Sequence, residues 1–252
     1  MTGSSKRLGR DIALALAADG WDIAIHSRKA NGAAEAVCQE IRQRGRQACC
    51  VHGDLRQPDQ VDHLFTQAVN ALPQLCAVVN NASEFVFDRP EQVDVPLLNA
   101  HYQSNVIAPV MLTQRLHAHL TPRHTAGQDP IGVVINLLDQ KLANPNPDFF
   151  SYTLSKSALL EATRLAAMAL APVLRVVGVA PGITLPSADQ TPEEFNQTHT
   201  MTPLGASSRA SEVADAVVWL AQARAVTGTM LLVDGGQHLL AQSRDVMMTT
   251  RL

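Results

Sequence analysis

Aromatic residues are scarce in this chain: they make up 4% of its 252 residues, and only two of them are tyrosines. So few aromatic rings argue against a stacking surface for single-stranded nucleic acid. The net charge of −3 provides no basic excess to attract nucleic acid or an anionic membrane. We therefore expect no nucleic-acid partner and no membrane partner. Chemistry that requires a phenol has only Tyr102 and Tyr152 to use.

The four cysteines form no CxxC pair and have no metal-type spacing with histidine, so we predict no metal site. Reduced thiols in a cytoplasmic protein are the simplest interpretation of this pattern. The sequence also lacks an apolar run of about 20 residues and a leader-like start, so we expect neither a membrane span nor secretion.

Six short apolar runs alternate with longer segments of helical periodicity. The predicted strands are Asp22–His26, Gln47–His52, Cys76–Asn80, Gly132–Leu138, Leu174–Val179 and Met230–Val233. The predicted helices are Arg10–Asp19, Gly32–Arg44, Gln57–Ala71, Pro96–His119, Tyr152–Ala171 and Ser211–Ala221. Continuous apolar strands separated by amphipathic helices predict an α/β fold of the Rossmann-like type, a doubly wound parallel sheet with helices on both faces. Such sheets bind ligands beyond the carboxyl ends of their strands.

The first loop, Thr2–Gly9, leads directly into the predicted helix that begins at Arg10. Glycine lets the backbone approach a phosphate, and a helix N-terminus supplies unpaired N–H groups and a positive dipole end. An ordinary loop with a helix cap fits this short pattern as well. A parallel fold of this type needs a strand before the loop, and Met1 leaves no room for one. We therefore expect the first strand to be missing from the recorded N-terminus, as if an internal codon had been read as the start.

Polar residues follow the next predicted strands. His26 ends one strand, and Ser27, Arg28 and Lys29 come directly after it. A site for NAD usually has an acidic residue here, whereas a hydroxyl and two cations suit the 2′-phosphate of NADPH. A solvated basic loop is the alternative interpretation. After the following strand, Asp54 can accept a hydrogen bond from an adenine amino group or cap the next helix.

Tyr152 and Lys156 lie four residues apart at the start of a predicted helix, and therefore on one face of it. A free phenol has a pKa of about 10, and a neighbouring ammonium group favours the phenolate. We expect Lys156 to bring the pKa of Tyr152 closer to working pH, so that the phenol exchanges a proton while a nicotinamide exchanges hydride. A YxxxK pair occurs often by chance, and its position after a buried strand is what gives it weight.

Together, these motifs resemble those of the short-chain dehydrogenase/reductase family over nearly the whole chain. The matching segments, in family order and spacing, are TGSSKRLG (2–9), GDL (53–55), NNAS (80–83), SN (104–105), YTLSK (152–156), APG (180–182) and VTGTMLLVDGG (226–236). The resemblance implies a single dinucleotide-binding domain over residues 1–252. It implies that Tyr152 is the proton donor or acceptor, that Lys156 binds the nicotinamide ribose and tunes the phenol, and that Asn105 supports a water-linked proton relay. Tyr102 is interpreted as a packing residue.

The resemblance also implies that the cofactor is NADPH. The residues expected to bind it are Gly3, Lys6, Arg7, Leu8, Gly9, His26, Ser27, Arg28, Asp54, Leu55, Asn81, Ala82, Ser83, Tyr152, Lys156, Pro181 and Gly182.

Four positions narrow the resemblance to pteridine reductases and dihydromonapterin reductases. Arg7 replaces the usual glycine of the first loop, and the resemblance implies that it reaches over the cofactor phosphates towards the substrate. Asp139 stands 13 residues before Tyr152, where the family normally has a serine that holds a carbonyl oxygen. Ser83 replaces a family glycine, and Phe85 matches an aromatic residue that stacks on the pterin ring.

The carboxylate of Asp139 suits a pterin better than a ketone. A pterin presents N–H and amino donors, which a carboxylate accepts, whereas a ketone presents an acceptor and needs a hydroxyl donor. Burial and the nearby phenol are expected to raise the pKa of Asp139. Alternatively, Asp139 caps the loop after its strand and Phe85 is a core residue. We expect catalysis to use Asp139, Tyr152, Lys156 and Asn105, and substrate binding to use Arg7, Phe85, Asp139 and Tyr152.

Two segments are expected to complete the site. Residues 187–201 form a polar stretch that we interpret as a substrate lid. The tail, residues 237–252, resembles the subunit-contact region of tetrameric relatives, so a homotetramer is expected.

The predicted function is NADPH-dependent reduction of a small pterin-type substrate to its tetrahydro form. Dihydromonapterin, dihydrobiopterin and dihydrofolate are the candidate substrates, and the sequence does not choose among them. A general carbonyl or alcohol oxidoreductase of the same family is the second hypothesis. A cofactor-binding regulator that no longer catalyses is the third, although it would have no need of Tyr152.

Overall fold

The computed structural model describes residues 1–30, 32–127, 131–187 and 190–249 of the chain. Within these ranges the strands are β1 (Ile23–Ser27), β2 (Ala48–His52), β3 (Ala77–Asn80), β4 (Gly132–Leu137), β5 (Leu174–Pro181) and β6 (Met230–Val233). The helices are α1 (Arg7–Ala18), α2 (Gly32–Gln43), α3 (Pro58–Ala71), α4 (Val95–Tyr102), α5 (Ala108–Thr125), α6 (Phe150–Ala169), α7 (Pro192–Thr200), α8 (Ala210–Gln222) and α9 (Val246–Thr249). All six strands lie at or within two residues of their predicted positions.

The strands form a parallel sheet in two parts, because β1 pairs only with β2 while β3, β4, β5 and β6 pair in that order. The carboxyl ends of all strands therefore point the same way. Helices α1, α2 and α8 cover one face, where Ile12, Ile41 and Val217 are fully buried. Helices α3 and α5 cover the other face with residues such as Val61 and Leu116. The predicted doubly wound α/β fold is confirmed.

The two parts of the sheet are joined at their carboxyl ends by the first residues of the chain. The amide of Thr2 donates to the carbonyl oxygen of Val79 on β3 (2.9 Å), and the carbonyl oxygen of Met1 accepts from the amide of His26 on β1 (3.2 Å). Below these bonds, a cavity of about 740 Å³ lies between Ala24 and Val79. Within the described residues, the first element is helix α1, and β1 follows it.

The long helix predicted over Pro96–His119 is wrong in one respect, because the structure divides it. Helices α4 and α5 are separated by a π-helical turn, Gln103–Ile107. Such a turn adds a residue to the helical repeat and leaves no clear mark on the hydrophobic pattern. It is the element that carries Asn105. Among the described residues, no helix combines the length and apolar character that crossing a bilayer requires.

Candidate active site

Two adjoining cavities open at the carboxyl ends of the strands, where the fold predicts a ligand site. The first has a volume of about 410 Å³ and lies beside the first loop and the ends of β1 and β2. The second, of about 300 Å³, lies beside the ends of β4 and β5 and is lined by Asp139, Tyr152 and Lys156. Both are lined by residues of the first loop and by Ser83, so together they form one extended cleft.

The first loop requires glycine at both of its glycine positions. A Cβ atom on Gly9 would stand 2.2 Å from the carbonyl oxygen of Gly3, and Gly3 itself has a φ of +59°. The side-chain amide of Asn81 donates to the carbonyl oxygens of Thr2 and Gly3 (3.1 and 3.0 Å). These bonds hold the loop in shape, and Asn81 also lines the second cavity. Its predicted role in cofactor binding stays a prediction. Ala82 packs against Gly3 and lines the first cavity.

Helix α1 begins at Arg7 rather than at Arg10, and no side chain caps its first turn. Its N-terminal N–H groups and the positive end of its dipole therefore face the cleft. Arg7 adopts a φ of +51°, a conformation that favours glycine. The side chain donates from Nη2 to the carbonyl oxygen of Pro186 (2.6 Å), and Arg7 lines the second cavity. The reach of Arg7 over the cofactor phosphates towards a substrate stays a prediction.

The side chain of His26 connects two loops through its ring nitrogens. Its Nδ1 accepts from the amide of Gly3 (3.0 Å), and its Nε2 lies 2.9 Å from the carbonyl oxygen of Gly53. Because a backbone amide donates to Nδ1, the ring is the neutral tautomer that carries its proton on Nε2. Burial lowers the pKa of His26 to about 4. The residue lines the first cavity, as predicted, but its polar atoms are used to fix the loops.

The far end of the first cavity is basic. Arg28 and Lys29 are exposed there beside Ser27, whose hydroxyl donates to the carbonyl oxygen of Lys29 (2.9 Å). Asp54 is engaged in a bidentate pair with Arg56, at 3.0 and 2.6 Å, which lowers the pKa of Asp54. The carboxylate of Asp54, which was predicted to face an adenine, is therefore already paired with Arg56. Arg56, which sequence reasoning missed, also lines the first cavity.

Tyr152 and Asp139 are joined directly. The Tyr152 hydroxyl donates to Oδ2 of Asp139 (2.8 Å), and the other carboxylate oxygen accepts from the amide of Lys141 (2.9 Å). Asp139 follows β4 by two residues and caps the short turn Gln140–Leu142, so the loop cap that the sequence allowed is present. Its role in catalysis and substrate binding stays a prediction. Tyr152 reaches it from the first turn of α6.

Burial raises the pKa of both partners. The pKa of Asp139 is raised mainly by burial, although its hydrogen bond from the phenol opposes the shift. The pKa of Tyr152 is raised well above its usual value, first by burial and then by the charge of Asp139. The prediction that a neighbouring ammonium would lower the pKa of Tyr152 is therefore wrong in direction. A phenol with this pKa stays protonated at working pH and serves as a donor.

Lys156 lies below the phenol rather than against its oxygen. Its ammonium donates to the carbonyl oxygen of Leu137 (2.7 Å) and stands 5.7 Å from the centre of the Tyr152 ring. Burial lowers the pKa of Lys156 to about 8. The ammonium lines the second cavity, where it is placed to donate to a ligand hydroxyl.

Asn105 is buried, and both polar atoms of its side chain are hydrogen-bonded. Its Nδ2 donates to Ser155 Oγ (2.9 Å) and to the carbonyl oxygen of Glu84 (3.0 Å), while its Oδ1 accepts from the Glu84 amide (2.8 Å) and the Ser83 hydroxyl (3.3 Å). In the structure Asn105 therefore fastens the segment after β3 to helix α6. Its role in a proton relay stays a prediction.

Phe85 belongs to an aromatic cluster. Its ring stacks on Phe149, with centres 4.4 Å apart and planes 12° apart, and it meets Tyr152 edge-on at 4.7 Å. The ring remains 43% exposed and lines the second cavity. Phe149, which has a φ of +53°, is a support that sequence reasoning missed. A flat ligand in this cavity would lie against an aromatic wall.

The loop after β5 closes the cleft from the opposite side. Pro181 and Gly182 line the second cavity, and a Cβ atom on Gly182 would stand 2.3 Å from Ser207 Oγ. Part of the predicted lid, 187–201, forms helix α7, and Ser187 and Gln190 line a smaller cavity of about 140 Å³ beside Tyr152. Residues 188 and 189 lie outside the described part.

The remaining predicted cofactor residues lie where expected. Lys6 and Leu55 line the first cavity and Leu8 lines the second. The C-terminal tail supplies residues that the sequence did not reveal as site residues: Asp245, Val246 and Met247 line the smaller cavity of the same chain. Residues 250–252 of the predicted tail lie outside the described residues.

The cysteines are free thiols, as predicted. Cys38 and Cys50 lie 2.9 Å apart at their sulfur atoms, and Glu35 completes a cluster away from the cleft. Burial raises the pKa of both thiols, and Arg42 pairs with Glu35. The ligand atoms of this cluster lie close enough to hold a metal ion, although the raised pKa of the two thiols opposes the thiolates that such an ion would bind.

Comparison with known proteins agrees with the geometry. The family model described as enoyl-(acyl carrier protein) reductase matches residues 3–238. An uncharacterized oxidoreductase of Mycobacterium tuberculosis is 34% identical over 94% of this chain and 90% of its own length. A 3-oxoacyl-[acyl-carrier-protein] reductase of Staphylococcus aureus is 28% identical over 95% of this chain and 97% of its own length.

Two solved structures are similar in both fold and sequence. The FolM alternative dihydrofolate reductase 1 of Brucella suis, in complex with NADP, has a TM-score of 0.89 and 38% identity over 96% of this chain and 94% of that one. Its counterpart from Brucella canis, also with NADP, has a TM-score of 0.87 and 37% identity over 96% and 93%. Given the matched model, the sheet and the Tyr152–Lys156 pair in the cleft, the chain belongs to the short-chain dehydrogenase/reductase family of oxidoreductases.

Proposed function

We propose that this protein reduces a dihydropterin, such as dihydromonapterin or dihydrobiopterin, or dihydrofolate, to its tetrahydro form with NADPH. The observation that carries the proposal is the hydrogen bond from Tyr152 to Asp139 in a cavity also lined by Arg7 and Phe85. The two Brucella structures, which are described as alternative dihydrofolate reductases, support it.

The described residues fit NADPH as the cofactor. Gly3, Ser5 and Lys6 line the first cavity next to the uncapped start of α1, where backbone N–H groups would hold the pyrophosphate. Arg28, with the cations around it, would hold the 2′-phosphate, and Lys156 would hold the nicotinamide ribose. When bound, the cofactor supplies the hydride that the reduction requires.

The residues of the second cavity match the polarity of a pterin. Asp139 offers carboxylate oxygens to amino and N–H donors, and its burial makes an unmatched acceptor costly. A ketone oxygen in the same place would meet a carboxylate instead of a donor. Phe85 offers a flat apolar face that suits a bicyclic ring. Arg7 would close the cavity from the side of the first loop.

Proton transfer is the task of the Tyr152–Asp139 pair. The raised pKa of the phenol keeps it protonated, so that it can donate to a ring nitrogen as the C=N bond is reduced. Asp139, whose pKa is also raised, can replace that proton or hold the substrate nitrogen. Lys156 keeps positive charge beneath the phenol ring and stabilises charge that develops on its oxygen.

A general carbonyl reductase is the second candidate, and the staphylococcal 3-oxoacyl-[acyl-carrier-protein] reductase favours it. Asp139→Ser separates the two, because serine restores a hydroxyl donor for a carbonyl oxygen. A pterin reductase loses most of its activity towards dihydropterins in this variant. A carbonyl reductase keeps or gains activity towards 3-oxoacyl thioesters and never had activity towards pterins, an outcome that would reject our proposal.

A regulator that only binds the cofactor is the third candidate. Tyr152→Phe removes the phenolic proton and keeps the ring on Phe85. An enzyme with this site loses about 10² to 10⁴ of its turnover in the variant. A regulator has no turnover to lose, so an unchanged rate of NADPH oxidation in Tyr152→Phe would exclude the assigned chemistry.

A further inference from the structure

The C-terminal segment of the chain returns to the substrate cavity and is anchored there. Arg244 donates from Nε to Oδ2 of Asp148 (2.7 Å), and the amide of Asp245 donates to the same oxygen (2.8 Å). Asp148 is fully buried, and Val246 next to the anchor is also buried. The Ser187 hydroxyl contacts Met247 Sδ at 3.4 Å. The segment is therefore fixed on two sides by elements that frame the site.

The carboxylate of Asp245 is held by a buried lysine. Its Oδ2 accepts from the Lys141 ammonium (3.1 Å), and its Oδ1 accepts from the amide of Met247 (3.1 Å). The Lys141 side chain is 4% exposed and that of Asp245 is 17% exposed. The same ammonium also donates to the carbonyl oxygen of Asp148. Lys141 therefore ties Asp245 of the tail to the loop that contains Asp148. What remains exposed of Asp245 faces the cavity of about 140 Å³.

Lys141 links this carboxylate to the catalytic one. Its backbone amide donates to Oδ1 of Asp139, while its ammonium pairs with Asp245. Asp139, Asp245, Tyr152 and Phe149 all line the smaller cavity. The carboxylates of Asp139 and Asp245 therefore lie on the same cavity wall, and Lys141 holds both of them in position.

We propose that Asp245 is a substrate-binding, specificity-determining residue, which accepts hydrogen bonds from the donor-bearing edge of a heterocycle whose ring nitrogen faces Asp139. The inference rests on the proposed function and adds a second contact to it. An amino group beside a ring N–H presents two adjacent donors, which match a carboxylate. A substrate without such an edge leaves Asp245 facing the cavity without a donor from the substrate, so the residue favours donor-rich heterocycles over simple ketones.

Asp245 also acts on the proton chemistry through its charge. The groups that face Asp139 are the Tyr152 hydroxyl and the Lys156 ammonium from α6, the Lys141 turn, Arg7 from the first loop and Asp245 from the tail. The negative charge of Asp245 contributes to the raised pKa of Asp139. Removing that charge should lower the pKa of Asp139 and move the corresponding limb of the pH profile to lower pH.

Asp245→Asn tests the proposal because it keeps the size of the side chain and an acceptor for Lys141, but removes the charge. We expect KM for a dihydropterin to rise about tenfold or more, kcat to change less, and the acidic limb of kcat/KM to move to lower pH. Arg244→Gln is the matched control, because it weakens the tail anchor without changing the charge of the cavity. It should leave the position of that limb unchanged.

Binding of a fluorescent oxidised pterin to the enzyme with NADP⁺ gives a readout independent of turnover. Weaker binding to Asp245→Asn than to the wild type and Arg244→Gln supports the proposal. Equal pterin binding by all three proteins, or the same pH profile in both variants, would overturn it. Failure of the proposed function is recognised separately, because the wild type itself would then neither bind nor reduce pterins.

Discussion

The Tyr152 hydroxyl donates to Oδ2 of Asp139 across 2.8 Å, from the first turn of a helix to the end of a neighbouring strand. Burial, with the charge of Asp139, raises the pKa of Tyr152 and keeps the phenol protonated, and the carboxylate places an acceptor where a ketone would need a donor. Burial raises the pKa of both groups. On this pair rests the proposal that the site prefers nitrogen heterocycles to ketones.

Arg7 should be needed for substrate affinity and not for folding. Its φ of +51° costs about 1–2 kcal/mol for a non-glycine residue. Arg7→Gly removes this strain together with the contact to Pro186, so the melting temperature should stay or rise while KM for the dihydropterin increases several-fold. Thermal melts and steady-state kinetics check this. Arg10→Ala removes a nearby exposed arginine outside the cleft as the control, and should leave KM unchanged.

Arg28 should determine the preference for NADPH over NADH. A charged hydrogen bond to the 2′-phosphate contributes about 2 kcal/mol, so Arg28→Ala should raise KM for NADPH about 30-fold. KM for NADH, which lacks that phosphate, should change little. Arg44→Ala, which removes an exposed arginine paired with Glu40, is the control. Equal losses with both cofactors would show that Arg28 does not read the phosphate.

Stability should fall in acid because His26 is buried as the neutral ring. Its pKa in the folded protein is about 4, against 6.5 for the free side chain. Between these values the unfolded chain binds a proton that the folded protein does not, so stability falls as pH drops through this window, by about 3 kcal/mol in all. Urea unfolding from pH 7.5 to pH 4 measures the loss.

Replacing His26 identifies the source of that pH dependence. In His26→Gln, the amide can accept from Gly3 and donate to Gly53 without titrating, so the loss in acid should be smaller. His63→Gln, at an exposed position on α3, serves as the matched control and should keep the wild-type loss. An undiminished loss in His26→Gln would assign the effect to other groups.

The reduction should slow as the pH rises through about 8, because Lys156 has its pKa there. The ammonium is charged below this pH and neutral above it, so the support it gives to charge on the phenol is lost as the pH increases. A kcat/KM profile from pH 6 to pH 10 measures the limb. Lys156→Arg, whose guanidinium remains charged, should move the limb above pH 9, whatever its effect on the maximal rate. A limb that stays near 8 would contradict the assignment.

Much of the framework could be predicted from the chain. Continuous apolar runs located the six described strands, and β1 and β4 are buried along their whole length, as such runs predict. The division of the helix around Asn105 could not be read from the sequence, because a π-helical turn does not alter the hydrophobic period enough to show. The pairing of Asp54 with Arg56 was equally hidden, since an Asp after a strand is compatible with several partners.

In the site, too, local motifs could be predicted from the sequence, whereas contacts between residues far apart in the chain could not. The spacing of Tyr152 and Lys156 pointed to that pair, the resemblance to a known family pointed to Asp139 and Arg7, and the cleft brings all four together. The direction of the Tyr152 pKa shift was predicted wrongly because burial and the charge of Asp139 raise this pKa. The part played by Asp245 depends on a contact 104 residues away with Lys141, for which the sequence carries no local signal.

The most direct test of the account compares kcat/KM for NADPH oxidation with 7,8-dihydromonapterin, dihydrobiopterin and dihydrofolate against that with a 3-oxoacyl thioester and a simple ketone. A site built around the Tyr152–Asp139 pair should favour at least one of the dihydropterin-type substrates by a factor of about 10² or more. Reduction of the thioester or the ketone, with no oxidation of NADPH in the presence of any of the three, would contradict the central claim.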